Sequence, residues 1–326
     1  MMTPPVLSIR NLHVEFPTKR GVVRAVSGLD LDLWPGRSLG LVGESGSGKS
    51  VTALAILRLL PCPPARTSAD RIELNGEDLM AASPSRMREV RGAEVGMIFQ
   101  DPMTSLNPSM TVGQQVAEAL SQHHLATKRE ARRLAVEALA RVRIPNAERV
   151  ARQYPHTLSG GLRQRVMIAM AIAPRPVLLI ADEPTTALDV TVQAEILDLL
   201  RELRAEYALT VLLITHDLGV VSEFCDEVAV MYAGRIVERA PAERLFSSPK
   251  HPYTLGLLAS LPGLSPQQEG RQRLNAIPGQ PPDPASIPSG CPFHPRCPRA
   301  MPACSAQEPP EVELDAKQQV SCLLYS

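Results

Sequence analysis

The chain has 326 residues, with 34 basic against 34 acidic side chains and a formal net charge of zero. That length allows two domains or one large domain with an appendage, and the balanced charge leaves no basic footprint for nucleic acid or an anionic membrane surface. The start, MMTPPVLSIR, lacks a basic segment followed by a long apolar one, and the richest apolar region, residues 166–181, is broken by Pro174, Arg175 and Pro176, well short of the roughly 20 apolar residues of a membrane span. A cytosolic chain is expected, in which thiols stay reduced and disulfides explain no cysteine cluster.

In chain order, LSIRNLHVEF and VVRAVSGLDLDL are β-rich runs separated by the turn signal TKRG, which predicts an antiparallel sheet over residues 7–36. SLGLVGESGSGKSVTALAILRLLP then reads as a short apolar strand, a glycine-rich turn and a helix ended by Pro61. Residues 101–158 read as mostly helical. Within KREARRLAVEALARV, Ala131, Leu134, Ala135, Ala138, Leu139 and Val142 fall on one face. VLLIAD at 177–182 and TVLLIT at 210–215 have the make-up of strands buried on both faces of a parallel sheet, and the helical stretches between them give an α/β alternation. EVAVMYAGRIVE, 227–238, predicts a hairpin turning at Ala233 and Gly234. Sixteen of the 31 prolines lie beyond residue 240, so the tail is expected to have little regular structure and to form a separate unit.

GESGSGKS, residues 43–50, fits G-x-x-x-x-G-K-[ST] between a predicted strand and a predicted helix. Gly43, Ser45, Gly46 and Gly48 let backbone N–H groups close around phosphate oxygens, and the helix N-terminus adds positive partial charge. Lys49 can reach the β- and γ-phosphates of ATP, and the Ser50 hydroxyl can ligate Mg2+. At the end of the buried run VLLIAD, Asp182 suits a partner of Mg2+ and Glu183 a base that polarises the attacking water. These residues describe a nucleotide hydrolase without fixing a family.

LSGGLRQ, 158–164, resembles the signature of ATP-binding cassette (ABC) ATPases, with Ser159, Gly160 and Gly161 ahead of a helix expected to begin near Leu162. The resemblance implies a P-loop NTPase fold of the cassette type: an α/β core with an antiparallel β subdomain, a helical subdomain over about 101–175, and an irregular Cys/Pro-rich C-terminal extension. The cassette is expected over 1–240 and the extension over 241–326. It also implies that Ser159, Gly160, Gly161 and Gln164 address the ATP bound by a second chain, so that two ATP molecules are sandwiched between two cassettes. Gln100 in FQDPMTSLNP is similar to the Q-loop glutamine that senses Mg2+ and the attacking water. His216 in LLITHD is similar to the switch histidine, Asp189 in TTALDV to the D-loop aspartate, and Phe16 to the aromatic that stacks on adenine.

These motifs, together with HPYTLGLLASLP, resemble the ATPase subunits of bacterial dipeptide and oligopeptide importers, a group that includes nickel and glutathione systems. Leu162 and Arg163 stand between the signature glycines and Gln164, a form usual in that branch. The implied partners are two membrane permeases, a second ATPase chain, with a heterodimer favoured over a homodimer, and an extracytoplasmic binding protein, with no nucleic acid. The implied location is the cytoplasmic face of the inner membrane. A soluble cassette ATPase of DNA repair or translation is the alternative from another class. Repair types carry long insertions and translation types generally carry two cassettes, whereas this chain has one cassette with a short insertion. A regulatory module without turnover is opposed by intact Lys49, Asp182, Glu183 and His216.

Cys291, Cys297, Cys304 and Cys322 stand at C-x5-C-x6-C-x17-C, without the paired C-x2-C spacing of zinc ribbons. Four cysteines are what a [4Fe-4S] cluster requires, and prolines 292, 295, 298 and 302 would stiffen the loops between them. The resemblance points the same way, with zinc or unligated small hydrophobes as the alternatives. The four sulfurs are then expected to converge on one site. Cys62 and Cys225 are expected to be small core residues.

Overall fold

Alternation of apolar residues at the start of the chain builds its first sheet. In the computed structural model, which describes residues 3–19, 21–186, 188–260 and 277–326, the strands in chain order are β1 (Leu7–Thr18), β2 (Gly21–Leu33), β3 (Ser38–Val42), β4 (Arg66–Ser68), β5 (Arg71–Leu74), β6 (Glu77–Asp78), β7 (Val95–Ile98), β8 (Leu178–Asp182), β9 (Thr210–Thr215), β10 (Glu227–Tyr232), β11 (Arg235–Pro241), β12 (Glu311–Glu313) and β13 (Gln319–Ser321). Residues 261–276, which take in the end of HPYTLGLLASLP, and Ala187 of TTALDV lie outside the described residues.

Two compact units share these strands. One comprises residues 7–32, 38–80 and 214–326. Its first sheet has the order β2-β1-β5-β6, with β4 also paired to β1, and the β1 pairings to β4 and β5 are antiparallel. Leu7, Ile9, Leu12 and Val14 of β1 and Val26, Leu29 and Leu31 of β2 are fully buried, so the alternation in the sequence is the buried face of this sheet. In the same unit β3 runs parallel to β10, and β10 is antiparallel to β11. Ala233 and Gly234 both have positive φ (47° and 83°), the two-residue turn expected for this hairpin.

The helix after the glycine-rich turn stops sooner than expected. It spans Lys49–Ile56, and Arg58 turns left-handed (φ 49°) while the Leu59 N–H donates to the Leu54 carbonyl at 2.8 Å. This i−5 bond satisfies an orphan carbonyl and closes the helix before Pro61 is reached. The tail beyond 240 also departs from expectation. Its described residues include the helices Ala242–Ser247 and Pro252–Ala259, and β13 joins β11 while β12 joins β13, both antiparallel. The tail therefore extends a sheet of the first unit. Tyr232 of β10 packs against Tyr253 at 4.6 Å between ring centroids and edge-on against Phe293 at 5.2 Å. Aromatic pairs in this geometry add to the stabilisation from buried area alone.

The other unit comprises residues 1–6, 33–37 and 81–213, of which the first two are undescribed. Here β7 runs parallel to β8, and β8 lies between β7 and β9. Every residue of β8 and β9 is buried, as their unbroken apolar runs predict. The helices Val112–Gln122, Lys128–Arg141 and Gly160–Ile172 form the helical part. Capping boxes start the first two, Thr111 with Gln114 and Thr127 with Glu130. On Lys128–Arg141 the predicted face is the inner one: Ala131, Ala135 and Leu139 are buried, and Leu134 and Ala138 are half-buried.

Candidate functional site

The phosphate loop follows β3 and leads into Lys49–Ile56. Close approach demands its glycines. A Cβ on Gly43 would lie 2.2 Å from the Met231 carbonyl oxygen, and one on Gly48, which has φ of 108°, would lie 2.3 Å from that of Ala25. Gly46 has φ of 79° with nothing near it, so the turn alone requires glycine there. Lys49 is buried, and its ammonium donates to the carbonyls of Gly43 at 2.8 Å and Glu44 at 3.0 Å. The lysine thus lies across the loop mouth, its ammonium held there by these two carbonyls. Ser45 and Gly46 are exposed and Ser50 is half-buried at the first helical turn.

The acidic pair ends β8. Asp182 is buried as the last strand residue, and Glu183 steps out of the strand with φ of 48°, an unusual backbone state for a residue with a side chain. Its Oε2 accepts hydrogen bonds from Gln100 Nε2 at 3.0 Å and from the Thr186 hydroxyl at 2.9 Å. Gln100 and Glu183 are therefore brought together across 83 residues of sequence. Thr186 was missed by sequence reading. No residue type signals it: the left-handed turn at Glu183 folds the chain back until the Thr186 N–H donates to the Glu183 carbonyl at 3.2 Å.

In the signature, Ser159 caps the helix Gly160–Ile172, its hydroxyl accepting from the Leu162 N–H at 3.4 Å. The helix begins two residues earlier than expected, so the glycines form its first turn. The two differ in cause. A Cβ on Gly161 would meet Val192 at 2.9 Å, whereas one on Gly160 meets only Leu188 at 3.6 Å, an ordinary contact. Nothing in the described residues needs Gly160 to be glycine. Ser159 and Gly160 are both exposed. Gln164 is buried at 2% exposure, and its Nε2 has no partner among the described residues, so it faces the packed side of the helix and not the exposed cradle. Asp189 is exposed and caps Val190–Tyr207 through the Val192 N–H at 3.0 Å, beside a Val190 that is 82% exposed. In the unit that holds the phosphate loop, His216 is exposed directly after β9, and Phe16 in β1 is half-buried.

The four tail cysteines form no disulfide; Cys291, Cys304 and Cys322 are buried and Cys297 is half-buried. Burial pushes the Cys291 thiol up to about 11, and the charges of Cys322, Cys304 and Cys297 add to the rise. Burial likewise raises Cys297 and Cys322, again with contributions from the other cysteines. Cys291 thus feels the other three thiols, while Cys297 feels Cys304, and Cys322 feels Cys297 and Cys304. Among the described residues, however, no group of three or more His, Cys, Asp or Glu side chains is placed to hold a metal ion. The expected convergence of the four sulfurs on one site is corrected to this: a neighbourhood of thiols without the tight grouping of a single-ion site. Cys225 is buried as expected, but Cys62 is exposed.

Residues 26–186 match the ABC transporter family, and residues 237–304 match the C-terminal region of oligopeptide/dipeptide transporters. A relative from Brucella abortus (strain 2308), named "Putative peptide import ATP-binding protein", is 52% identical over 309 residues, which cover 95% of this chain and 92% of the relative. This chain belongs to the ABC transporter family. A Brucella melitensis biotype 1 relative of the same name is 50% identical over 333 residues, covering 100% of this cassette protein and 98% of the relative. The dimeric ATP-binding cassette MJ0796 bound to ADP and Pi has a similar fold, with a TM-score of 0.65 and 26% identity over 72% of this chain and 98% of that one. The cassette protein cbiO1 from Clostridium perfringens gives 0.64 and 28% over 76% and 92%. The chain is accordingly an ABC-type ATPase with the expected cassette fold. No helix among its described residues is long and apolar enough to cross a membrane.

Proposed function

We propose that this cassette is the ATP-hydrolysing subunit of an importer for dipeptides and oligopeptides, working at the cytoplasmic face of the inner membrane. One observation carries the reading: an ABC cassette and an oligopeptide/dipeptide transporter C-terminal region lie in a single chain that aligns nearly end to end with relatives named for peptide import. Residues 1–240 act as the cassette and 241–326 as the importer-type extension. Lys49 and the loop amides hold the ATP phosphates, and Phe16 stacks on the adenine. Ser50, Asp182 and Gln100 would hold Mg2+, which would neutralise charge on the phosphates. Glu183 takes the proton of the attacking water as its oxygen bonds to the γ-phosphorus and ADP leaves, and His216 contacts the same γ-phosphate. Ser159, Gly160 and Gly161, joined by Asp189, act on ATP held by a second cassette, preferably a related but different chain. The exposure of Ser159, Gly160 and Asp189 supports this role. Permeases and an extracytoplasmic binding protein select the solute, and nucleic acid has no part. Purification of the tagged chain from membranes tests the assignment: two permease subunits should come with it, and nucleic acid in their place would overturn it.

In the extension, the reading includes a [4Fe-4S] cluster on Cys291, Cys297, Cys304 and Cys322. Four cysteines outside any disulfide, with Cys291 within electrostatic reach of the other three, support it. A cubane would take one thiolate on each of four irons, which matches the count of four cysteines. When bound, the cluster supplies four covalent ties to a tail rich in proline. Protein purified without oxygen should contain about four irons and about four acid-labile sulfides per chain, both lost together in Cys297→Ser. Zinc without sulfide would exclude the cluster.

A further inference from the structure

Glu44, the second residue of GESGSGKS, is gripped at three points. Its carboxylate accepts both arms of the Arg296 guanidinium, at 2.6 and 2.9 Å. Its N–H donates to the Tyr253 hydroxyl at 2.9 Å, and its carbonyl accepts from the Lys49 ammonium at 3.0 Å. Two of these partners belong to the C-terminal extension, and the third is the lysine assigned to the phosphates. Arg296 is itself locked: its side chain is 6% exposed, its Nε donates to the Pro278 carbonyl at 3.0 Å, and its guanidinium lies over the Tyr232 ring at 5.8 Å. A fork–fork pair of this kind fixes direction as well as distance.

We infer that Arg296 and Tyr253 are positioning residues for the nucleotide: through Glu44 the extension holds the phosphate loop and Lys49 in the form that binds ATP, and so sets the affinity for MgATP. This rests on the proposed ATPase reading. Two effects act together. The geometric one runs from Arg296 and Tyr253 through Glu44 to Lys49, each step a hydrogen bond shorter than 3.1 Å. The electrostatic one is that a carboxylate in a loop built for a polyanion opposes binding unless it is neutralised, and Arg296 neutralises it. Phe293 and Arg296 also lie in the short stretch between Cys291 and Cys297, with Phe293 edge-on to Tyr232. The anchor of the phosphate loop is thereby carried on the cysteine-bearing segment.

The test is a titration of the purified full chain with MgATP, with Lys49→Ala as the control for the site itself. Arg296→Gln should weaken MgATP about tenfold, because it breaks the fork and leaves the Glu44 carboxylate unpaired beside the phosphates. Arg296→Gln combined with Glu44→Gln should regain most of that loss, since the uncompensated charge is gone; an arginine that merely glued the tail in place gives no such rescue. In the assembled transporter the KM for MgATP should rise with the saturated rate kept. If Arg296→Gln does not fold, Tyr253→Phe keeps the ring, removes only the acceptor for the Glu44 N–H, and should weaken MgATP about threefold. Wild-type affinity in folded Arg296→Gln, or in Tyr253→Phe where that variant stands in, overturns the inference. A wild-type chain that does not bind MgATP, or a Lys49→Ala chain that binds it equally well, overturns the ATPase reading instead.

Discussion

Glu183→Gln should bind MgATP as the wild type does and hydrolyse it about 10²- to 10⁴-fold more slowly in the assembled transporter. The amide keeps the shape of the side chain, and its oxygen can still accept from Gln100 Nε2 and the Thr186 hydroxyl, the two bonds that hold Glu183 Oε2 in place. Only the capacity to take a proton from water is lost. Steady-state phosphate release separates the outcomes. Turnover near the wild-type rate removes Glu183 from the mechanism, and lost binding shows that the charge holds the fold of the site and not the chemistry.

Gly160→Asp should leave the single chain folded and able to bind MgATP, yet abolish ATP-driven pairing of cassettes. The new side chain finds room, since a Cβ at this exposed position meets only Leu188 at 3.6 Å. A carboxylate in the first turn of a helix is favourable to that helix. Its cost arises on closure, where it faces a triphosphate: at an effective dielectric of 20, two like unit charges about 5 Å apart repel by roughly 3 kcal/mol. Sedimentation of the Glu183→Gln form with and without Gly160→Asp, in MgATP, is the measurement. An intact dimer, or an equal loss of nucleotide binding in the separate chain, refutes a composite site.

The parts legible in the sequence are those dictated by local rules. GESGSGKS announces its loop because close contacts to the Met231 and Ala25 carbonyls admit no Cβ at Gly43 and Gly48. The unbroken runs at β8 and β9 announce buried strands, and Ala233-Gly234 announces a turn with two positive φ values. What was not legible depends on backbone conformation, on which way a helix face turns, or on partners distant in sequence. Thr186 reaches Glu183 only because Glu183 adopts a left-handed conformation, which no residue type at that position predicts. Gln164 belongs to the signature by spacing, yet the helical period turns it into the core. The proline count beyond 240 predicted an irregular tail, but proline density says nothing of Val320, Phe293 and Tyr253, whose burial ties that tail to β10 and β11. Arg296 and Glu44 are 252 residues apart, and no motif links them.

The central claim is that ATP hydrolysis by this chain drives peptide inward. Its most direct measurement is uptake of a labelled dipeptide or oligopeptide into vesicles that hold the complete transporter, with MgATP supplied on the cassette side. Wild-type complexes should accumulate peptide only with MgATP, and complexes carrying Glu183→Gln in this chain should bind ATP but accumulate little or none. Accumulation that continues without ATP, or that proceeds at the wild-type rate with Glu183→Gln, would contradict the account.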